Sequence, residues 1–243
     1  MTGDSSPGPA EQVSRSGKPA VVAHRGASGD RAEHTLGAYE LALTQGADGL
    51  ECDVRLTSDH ELVCVHDRTV DRTSDGSGAV SELSLAQLRE LDFGSWHDPG
   101  TPASILTLRE LLTLTLDWRR PVRLFIETKH PVRYGSLVEQ RLLELLHEFG
   151  VATPPSADHS RAVVISFSSA GVWRIRRHAP MLPTILLGDT ARVLGGSAAT
   201  AVGATGIGPS ITTLRQYPDI VDRAAAAGRV TYCLLYTSPS PRD

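Results

Sequence analysis

The stretch 21–67 constrains this chain more than any other part of it. It holds three short apolar runs, at 21–23, 50–54 and 62–65, and each runs into residues that are costly to bury. The first leads into His24-Arg25-Gly26, the second contains Glu51 and Asp53, and the third ends in His66-Asp67. Short runs of this kind read as strands. Side chains alternate along a strand, so Glu51 and Asp53 share one face and Cys52 takes the other. Two carboxylates on one face at a strand's C-terminal end repel each other. A divalent cation with oxygen ligands is their simplest partner. Two imidazoles beside such a cation make an acid/base pair for breaking a phosphate or similar ester.

The rest of the chain repeats the same alternation. Strands are expected over 19–24, 49–54, 122–129, 162–167, 184–188, 205–210 and 229–232, with an added strand at 61–66 beside the second. Helices are expected over 33–46, 108–118, 136–149, 169–178 and 218–227, and the alanine-rich stretch 189–202 suggests a further short one. A long irregular connection, 68–106, follows the added strand and carries a helix over 84–91 with Ser84 as its N-cap. Regular alternation with right-handed crossovers gives a parallel sheet. Chemistry at the C-termini of successive strands is what a (β/α)8 barrel of the TIM type provides. A doubly wound sheet is the other architecture open to this pattern, but it does not bring the first four strands into one ring of ligands.

A length of 243 residues fits one large α/β barrel or two small domains. The hydrophobic share of 40% supports a buried core, and the 5% aromatic share means that Leu, Val, Ile and Ala must fill it. A net charge of -4 argues against a general nucleic-acid binder. Three cysteines give no disulfide framework, and Cys52 and Cys64 read as small buried hydrophobes inside strands. No apolar run reaches membrane-spanning length, and the first residues lack the apolar core of a signal peptide, so a cytoplasmic location is expected. Residues 1–18, rich in Ser, Gly, Pro and charge, are expected to form a disordered leader.

Glu127 stands alone among apolar neighbours in Leu124-Phe125-Ile126-Glu127-Thr128-Lys129 and is costly to bury unpaired. It is a candidate third metal ligand, and an ion pair with Lys129 on the same face is compatible with that. His24 and His66, at the ends of neighbouring strands, are the acid/base candidates. Asp67 either orients His66 or points elsewhere, since an adjacent carboxylate need not turn back on its neighbour, and His34 reads as a hydrogen-bonding loop residue rather than a ligand. Phe167 either walls a pocket or packs in the barrel. Trp96 either covers a substrate or anchors its own loop. The remaining histidines, His97, His130, His147, His159 and His178, show no spacing pattern.

The order H-R-G at 24–26, E-x-T at 33–35, E-x-D at 51–53 and V-H-D at 65–67 resembles the glycerophosphodiester phosphodiesterase family. Glu127-Thr128-Lys129 resembles that family's E-x-K strand, and Ile165-Ser166-Phe167 its S-F strand end. The resemblance covers 19–232, with one departure: His34 stands where the family usually has Asn. It implies a barrel with a partial substrate-covering insertion after the second strand. It also implies metal-dependent hydrolysis of a small-molecule glycerophosphodiester to sn-glycerol 3-phosphate and an alcohol. On this reading Glu51, Asp53 and Glu127 hold Mg²⁺ or Ca²⁺, and His24 and His66 are general acid and base in an order left open. Arg25 and Lys129 hold phosphate oxygens, unless they pair with the acids instead. The nucleophile is water or the glycerol 2-hydroxyl. Barrels that act in a phospholipase D-like way on lysophospholipids share the H…E-x-D…H arrangement. A non-catalytic binding barrel is the reading from a different class.

The last residues, 233–243, break the pattern. Pro239 and Pro241 cannot sit in a central barrel strand. The segment resembles a translated sequencing adapter and is expected to be an artefactual tail. The barrel over 19–232 is then expected to be incomplete at its C-terminal side, lacking its last strand and helices, with unpaired edges and poor solubility or activity.

Overall fold

The computed structural model describes residues 19–189 and 197–234. The expected leader 1–18 lies outside the described residues, as do positions 190–196 of the alanine-rich stretch and 235–243 of the expected tail. The strands are β1 (Val22–His24), β2 (Gly49–Leu56), β3 (Leu62–Cys64), β4 (Arg123–Thr128), β5 (Ala162–Ser166), β6 (Thr184–Gly188), β7 (Gly206–Pro209) and β8 (Val230–Thr231). They form one sheet in the order β1-β2-β4-β5-β6-β7-β8, with β3 paired to β2. Every pairing is parallel except the β2–β3 one. Each parallel strand sits beside its predecessor, so the winding never reverses. A doubly wound sheet reverses at its switch point and is thereby excluded. The architecture is an incomplete TIM-type barrel.

The helices are α1 (Leu36–Thr44), α2 (Leu85–Arg89), α3 (Leu108–Asp117), α4 (Leu137–Glu148), α5 (Ser169–His178), α6 (Ser197–Ala201), α7 (Ile211–Gln216) and α8 (Ile220–Ala226). The alternation of strand side chains splits the interior in two. Leu50, Cys52, Val54, Leu124, Ile126 and Val164 point outward and share a buried cluster with helix residues such as Tyr39, Leu111, Leu142 and Ile175. Val163, Ile165, Ile185 and Leu187 point inward and pack with Phe125, Tyr232 and Leu234. Phe125 and Tyr232 stack with ring centroids 5.1 Å apart. Glu51 is in register with Phe125, and Asp53 with Glu127, so the acids belong to the inward face.

The connection after β3 has a small core of its own, built from Val63, Val65, Val70, Val80, Leu88, Phe93 and Ile105. Ser84 caps α2 in a reciprocal box with Gln87. Two helices differ from expectation. α1 starts at Leu36 rather than near Glu33, because Thr35 is its N-cap and accepts from the Ala38 amide. That leaves Glu33 and His34 outside the helix, where tertiary contacts use them. α7 falls where the sequence pattern predicts no helix; Ser210 caps it by accepting from the Thr213 amide. Beyond β8, the Leu234 amide donates to Pro209 O at 3.0 Å, and Leu234 bridges Ser210 in parallel. Among the described residues no helix is long and apolar enough to cross a membrane.

Candidate active site

Two neighbouring strands supply the carboxylates. β2 contributes Glu51 and Asp53, and β4 contributes Glu127; all three are buried, and one oxygen from each lies within 4.8 Å of the others. Burial raises the Glu51 carboxyl well above the usual range, and the charges on Asp53 and Glu127 push it further. The same causes, burial first and then Asp53, push Glu127 up to about 7. Asp53 differs. Burial works against its charge, but Lys129, His34 and Arg25 overcome that and hold it well below the usual range. Two of the three carboxylates are therefore short of positive charge. A donor set made only of carboxylate oxygens fits a hard cation of the Mg²⁺ or Ca²⁺ type. The residues fit the group that the resemblance implies.

Both expected phosphate-binding cations lie against these acids. Lys129 Nζ is 2.9 Å from Glu127 Oε1 and 3.3 Å from Asp53 Oδ1. Burial disfavours its charge, but Asp53 and Glu127 outweigh this and raise its pKa. Arg25 is 4% exposed. Its backbone N–H donates to Glu51 Oε2 at 3.1 Å, its Nε lies 3.1 Å from Asp53 Oδ2, and its Nη1 donates to Glu33 Oε1 at 3.2 Å. The turn that buries it is left-handed, with φ 59° at Arg25 and 82° at Gly26. A Cβ at Gly26 would lie 2.8 Å from the Ala38 carbonyl carbon. Only glycine lets this turn meet the start of α1, which accounts for the H-R-G sequence.

Both histidines lie near these acids. His24 ends β1 opposite Glu51 in register, and its half-exposed ring places Nε2 4.0 Å from Glu51 Oε2. His66 is more enclosed, and its Nδ1 lies 2.7 Å from Asp67 Oδ1. Burial lowers the His66 pKa; Lys129 and Arg25 lower it further, against the opposing pull of Asp53 and Asp67. An imidazole so placed is neutral near pH 7 and able to take a proton. Asp67 turns back onto its neighbour because Arg72 Nε donates to its Oδ2 at 2.6 Å.

Other groups enter the site without a strong sequence signal. His34 is a hydrogen-bonding residue as expected, but a buried one: its Nε2 is 3.0 Å from Asp53 Oδ2 and its Nδ1 2.8 Å from Tyr39 Oη. Tyr39, expected only as part of an apolar helix face, donates to Glu51 O at 3.0 Å. Glu33 and Arg72 form a two-pronged pair at 3.0 and 2.8 Å. The E-x-T spacing points to Glu33; nothing in the pattern points to Arg72. Phe167 follows β5 and is 44% exposed, outside the inward apolar cluster. Trp96 Nε1 donates to Phe93 O at 3.0 Å, which anchors the indole to its own loop while leaving the ring 39% exposed.

An incomplete parallel barrel with a buried carboxylate cluster on its inward face is compatible with a divalent cation and with the hydrolysis of an ester. The sequence matches the glycerophosphoryl diester phosphodiesterase family over residues 24–242, and the chain belongs to that family. It is 66% identical over 223 residues to the "Probable glycerophosphodiester phosphodiesterase 1" of Mycobacterium tuberculosis strain H37Rv, covering 89% of this chain and 81% of that protein. It is 32% identical to the glycerophosphodiester phosphodiesterase of Bacillus subtilis, over 81% of this chain and 70% of that one. Among solved structures, it is similar to the glycerophosphodiester phosphodiesterase of Agrobacterium tumefaciens, with a TM-score of 0.74, 26% identity and coverage of 91% and 89%. It is also similar to an Oleispira antarctica phosphodiesterase in complex with the product sn-glycerol-3-phosphate, with a TM-score of 0.78, 25% identity and coverage of 90% and 85%.

Proposed function

We propose that this chain hydrolyses glycerophosphodiesters to sn-glycerol 3-phosphate and the free alcohol, with Glu51, Asp53 and Glu127 holding Mg²⁺ or Ca²⁺ and with His24 and His66 as the acid/base pair. The chain is a phosphoric diester hydrolase by family. The observation that carries the residue assignment is the meeting of three buried carboxylates within 4.8 Å, with His24 4.0 Å from one of them. When bound, the cation supplies positive charge against the non-bridging phosphate oxygens. One imidazole takes the proton of the nucleophile and the other gives a proton to the leaving alkoxide. Lys129 and Arg25 border the acids, so cation loading frees part of their charge for the phosphate. Phe167, exposed at the mouth side of β5, offers an apolar wall to the substrate's carbon chain. The buried free thiols Cys52 and Cys64 suit a reducing compartment, and we place the protein in the cytoplasm on that ground.

The test is product formation from glycerophosphocholine with and without added Mg²⁺ or Ca²⁺. Cation-dependent release of glycerol 3-phosphate is expected. Turnover that survives exhaustive chelation removes the metal assignment, and binding without turnover turns the protein into a non-catalytic barrel.

A further inference from the structure

Arg72 lies in the connection that follows β3, away from every motif of the sequence. Its Nε donates to Asp67 Oδ2 at 2.6 Å, and its Nη2 reaches Asp67 Oδ1 at 3.3 Å. Its Nη1 and Nη2 donate to the two oxygens of Glu33 at 3.0 and 2.8 Å. Asp67 Oδ1 is the atom 2.7 Å from His66 Nδ1. Glu33 Oε1 also accepts from Arg25 Nη1 at 3.2 Å, and Arg25 Nε lies 3.1 Å from Asp53 Oδ2. An unbroken line therefore runs from His66 through Asp67, Arg72, Glu33 and Arg25 to the carboxylate cluster. Glu33 is mostly buried; Arg72 and Asp67 are partly so. On the other side the Arg72 guanidinium carbon sits 6.0 Å from the centre of the Trp96 ring, a cation–π contact.

A carboxylate next in sequence to a histidine has no intrinsic reason to point back at it. A guanidinium that donates to both oxygens of that carboxylate removes its freedom to turn away, and does so with a planar fork that lysine lacks. We propose that Arg72 is the positioning residue for His66. Its fork aims Asp67 at Nδ1, so that Asp67 accepts from Nδ1–H and proton transfer falls to Nε2. Through Glu33 and Arg25 it sets that imidazole in register with the carboxylate cluster. Through Trp96 it ties the arrangement to the folded insertion. This rests on the assignment of His66 to the acid/base pair.

The test uses the full chain with saturating cation and glycerophosphocholine, and compares Arg72→Lys, Asp67→Asn, His66→Ala and the double variant Arg72→Lys/His66→Ala. Arg72→Lys is expected to lose up to ~10²-fold in kcat with KM little changed, the scale of a misplaced catalytic group. In the His66→Ala background the same change is expected to cost nothing further, because both act through one group. Nitrogen NMR of His66 is expected to show Nδ1–H in the parent and a mixture of tautomers in Arg72→Lys, a readout independent of turnover. Near-parental kcat in Arg72→Lys beside an impaired His66→Ala overturns the proposal, as do losses that multiply or an unchanged tautomer. If Arg72→Lys fails to fold, Asp67→Asn, of equal volume, decides the same point: a parental kcat overturns the proposal and a comparable loss supports it. A His66→Ala protein with parental kcat instead overturns the acid/base assignment, and this proposal with it.

Discussion

The two sides of the barrel interior differ sharply in chemistry. The inward positions of β1, β2 and β4 carry His24, Glu51, Asp53 and Glu127, with Lys129 just beyond β4. The inward positions of β5 and β6 carry Val163, Ile165, Ile185 and Leu187, and on β7 the neighbours in register are Gly206 and Gly208. One side concentrates charge, the other is an apolar wall. The backbone frame is the same on both, so the frame does not dictate the chemistry. A parallel barrel can place its reacting groups on a contiguous arc and use the opposite arc to exclude water and hold the shape.

Removing the groups of the polar arc tests this division most severely. Chelation of the cation is expected to abolish turnover, read as glycerol 3-phosphate release. His24→Ala and His66→Ala are each expected to lower kcat by at least ~10²-fold, the usual scale for a general acid or base. Near-native kcat in either variant removes that histidine from the mechanism. On the apolar arc the expectation inverts. Ile185 is 2% exposed and faces inward, so Ile185→Ala should cost ~2–5 kcal/mol of stability and leave kcat of the folded fraction intact. A variant that melts like the parent but has lost turnover would break the division.

The polar arc is also the more legible of the two in the sequence. Glu51, Asp53 and Glu127 stand out because charge inside apolar strand runs is expensive, and the alternation rule alone puts Glu51 and Asp53 on one face. The strand and helix alternation is readable because each element carries its own period. What local patterns do not show is partnership at a distance. Arg72 finds Glu33 across 39 positions of chain, and no window of sequence links the two. The start of α1 is hidden for the same reason: Glu33 and His34 have helical neighbours but are held by Arg25, Arg72 and Asp53. α7, only six residues long, carries too few apolar positions to show a period. Gly26 is visible as a motif letter, while the Ala38 contact that requires it is not.

Acid titration sharpens the comparison at the edge of the polar arc. Glu33 has its pKa lowered from 4.5 to about 2: burial opposes its charge, but Arg72, His34 and Arg25 together overcome this. Asp67 falls to about 2 as well, with burial again outweighed by Arg72 and His66. For a carboxyl whose folded pKa is depressed, the stabilisation is present above the unfolded pKa and is lost as pH falls through the folded one. The Arg72 pairs should therefore contribute fully above about pH 4.5 and fade toward pH 2. The difference in melting temperature between the parent and Arg72→Gln is expected to be constant above that window and to shrink within it. A difference that persists unchanged to pH 2 would show that Arg72 stabilises by packing, not by charge.

The smallest effect is expected on the outward face of the same strand. Cys52 lies between Glu51 and Asp53 in sequence, yet it is fully buried in the cluster between sheet and helices, within side-chain hydrogen-bonding reach of Cys64, whose partner in the β2–β3 register is Val54. Its distance from the chemistry is set by strand alternation alone: one residue either way, a side chain belongs to the other core. Cys52→Ser changes little volume but buries a hydroxyl in apolar surroundings, which costs ~1–3 kcal/mol if it finds no partner. The melting temperature should fall modestly, and kcat and cation affinity should stay at the parental level. A collapse of turnover in a folded Cys52→Ser protein would mean that β2 presents its residues the other way round. The carboxylates would then face the helices, and the polar arc itself would have to be redrawn.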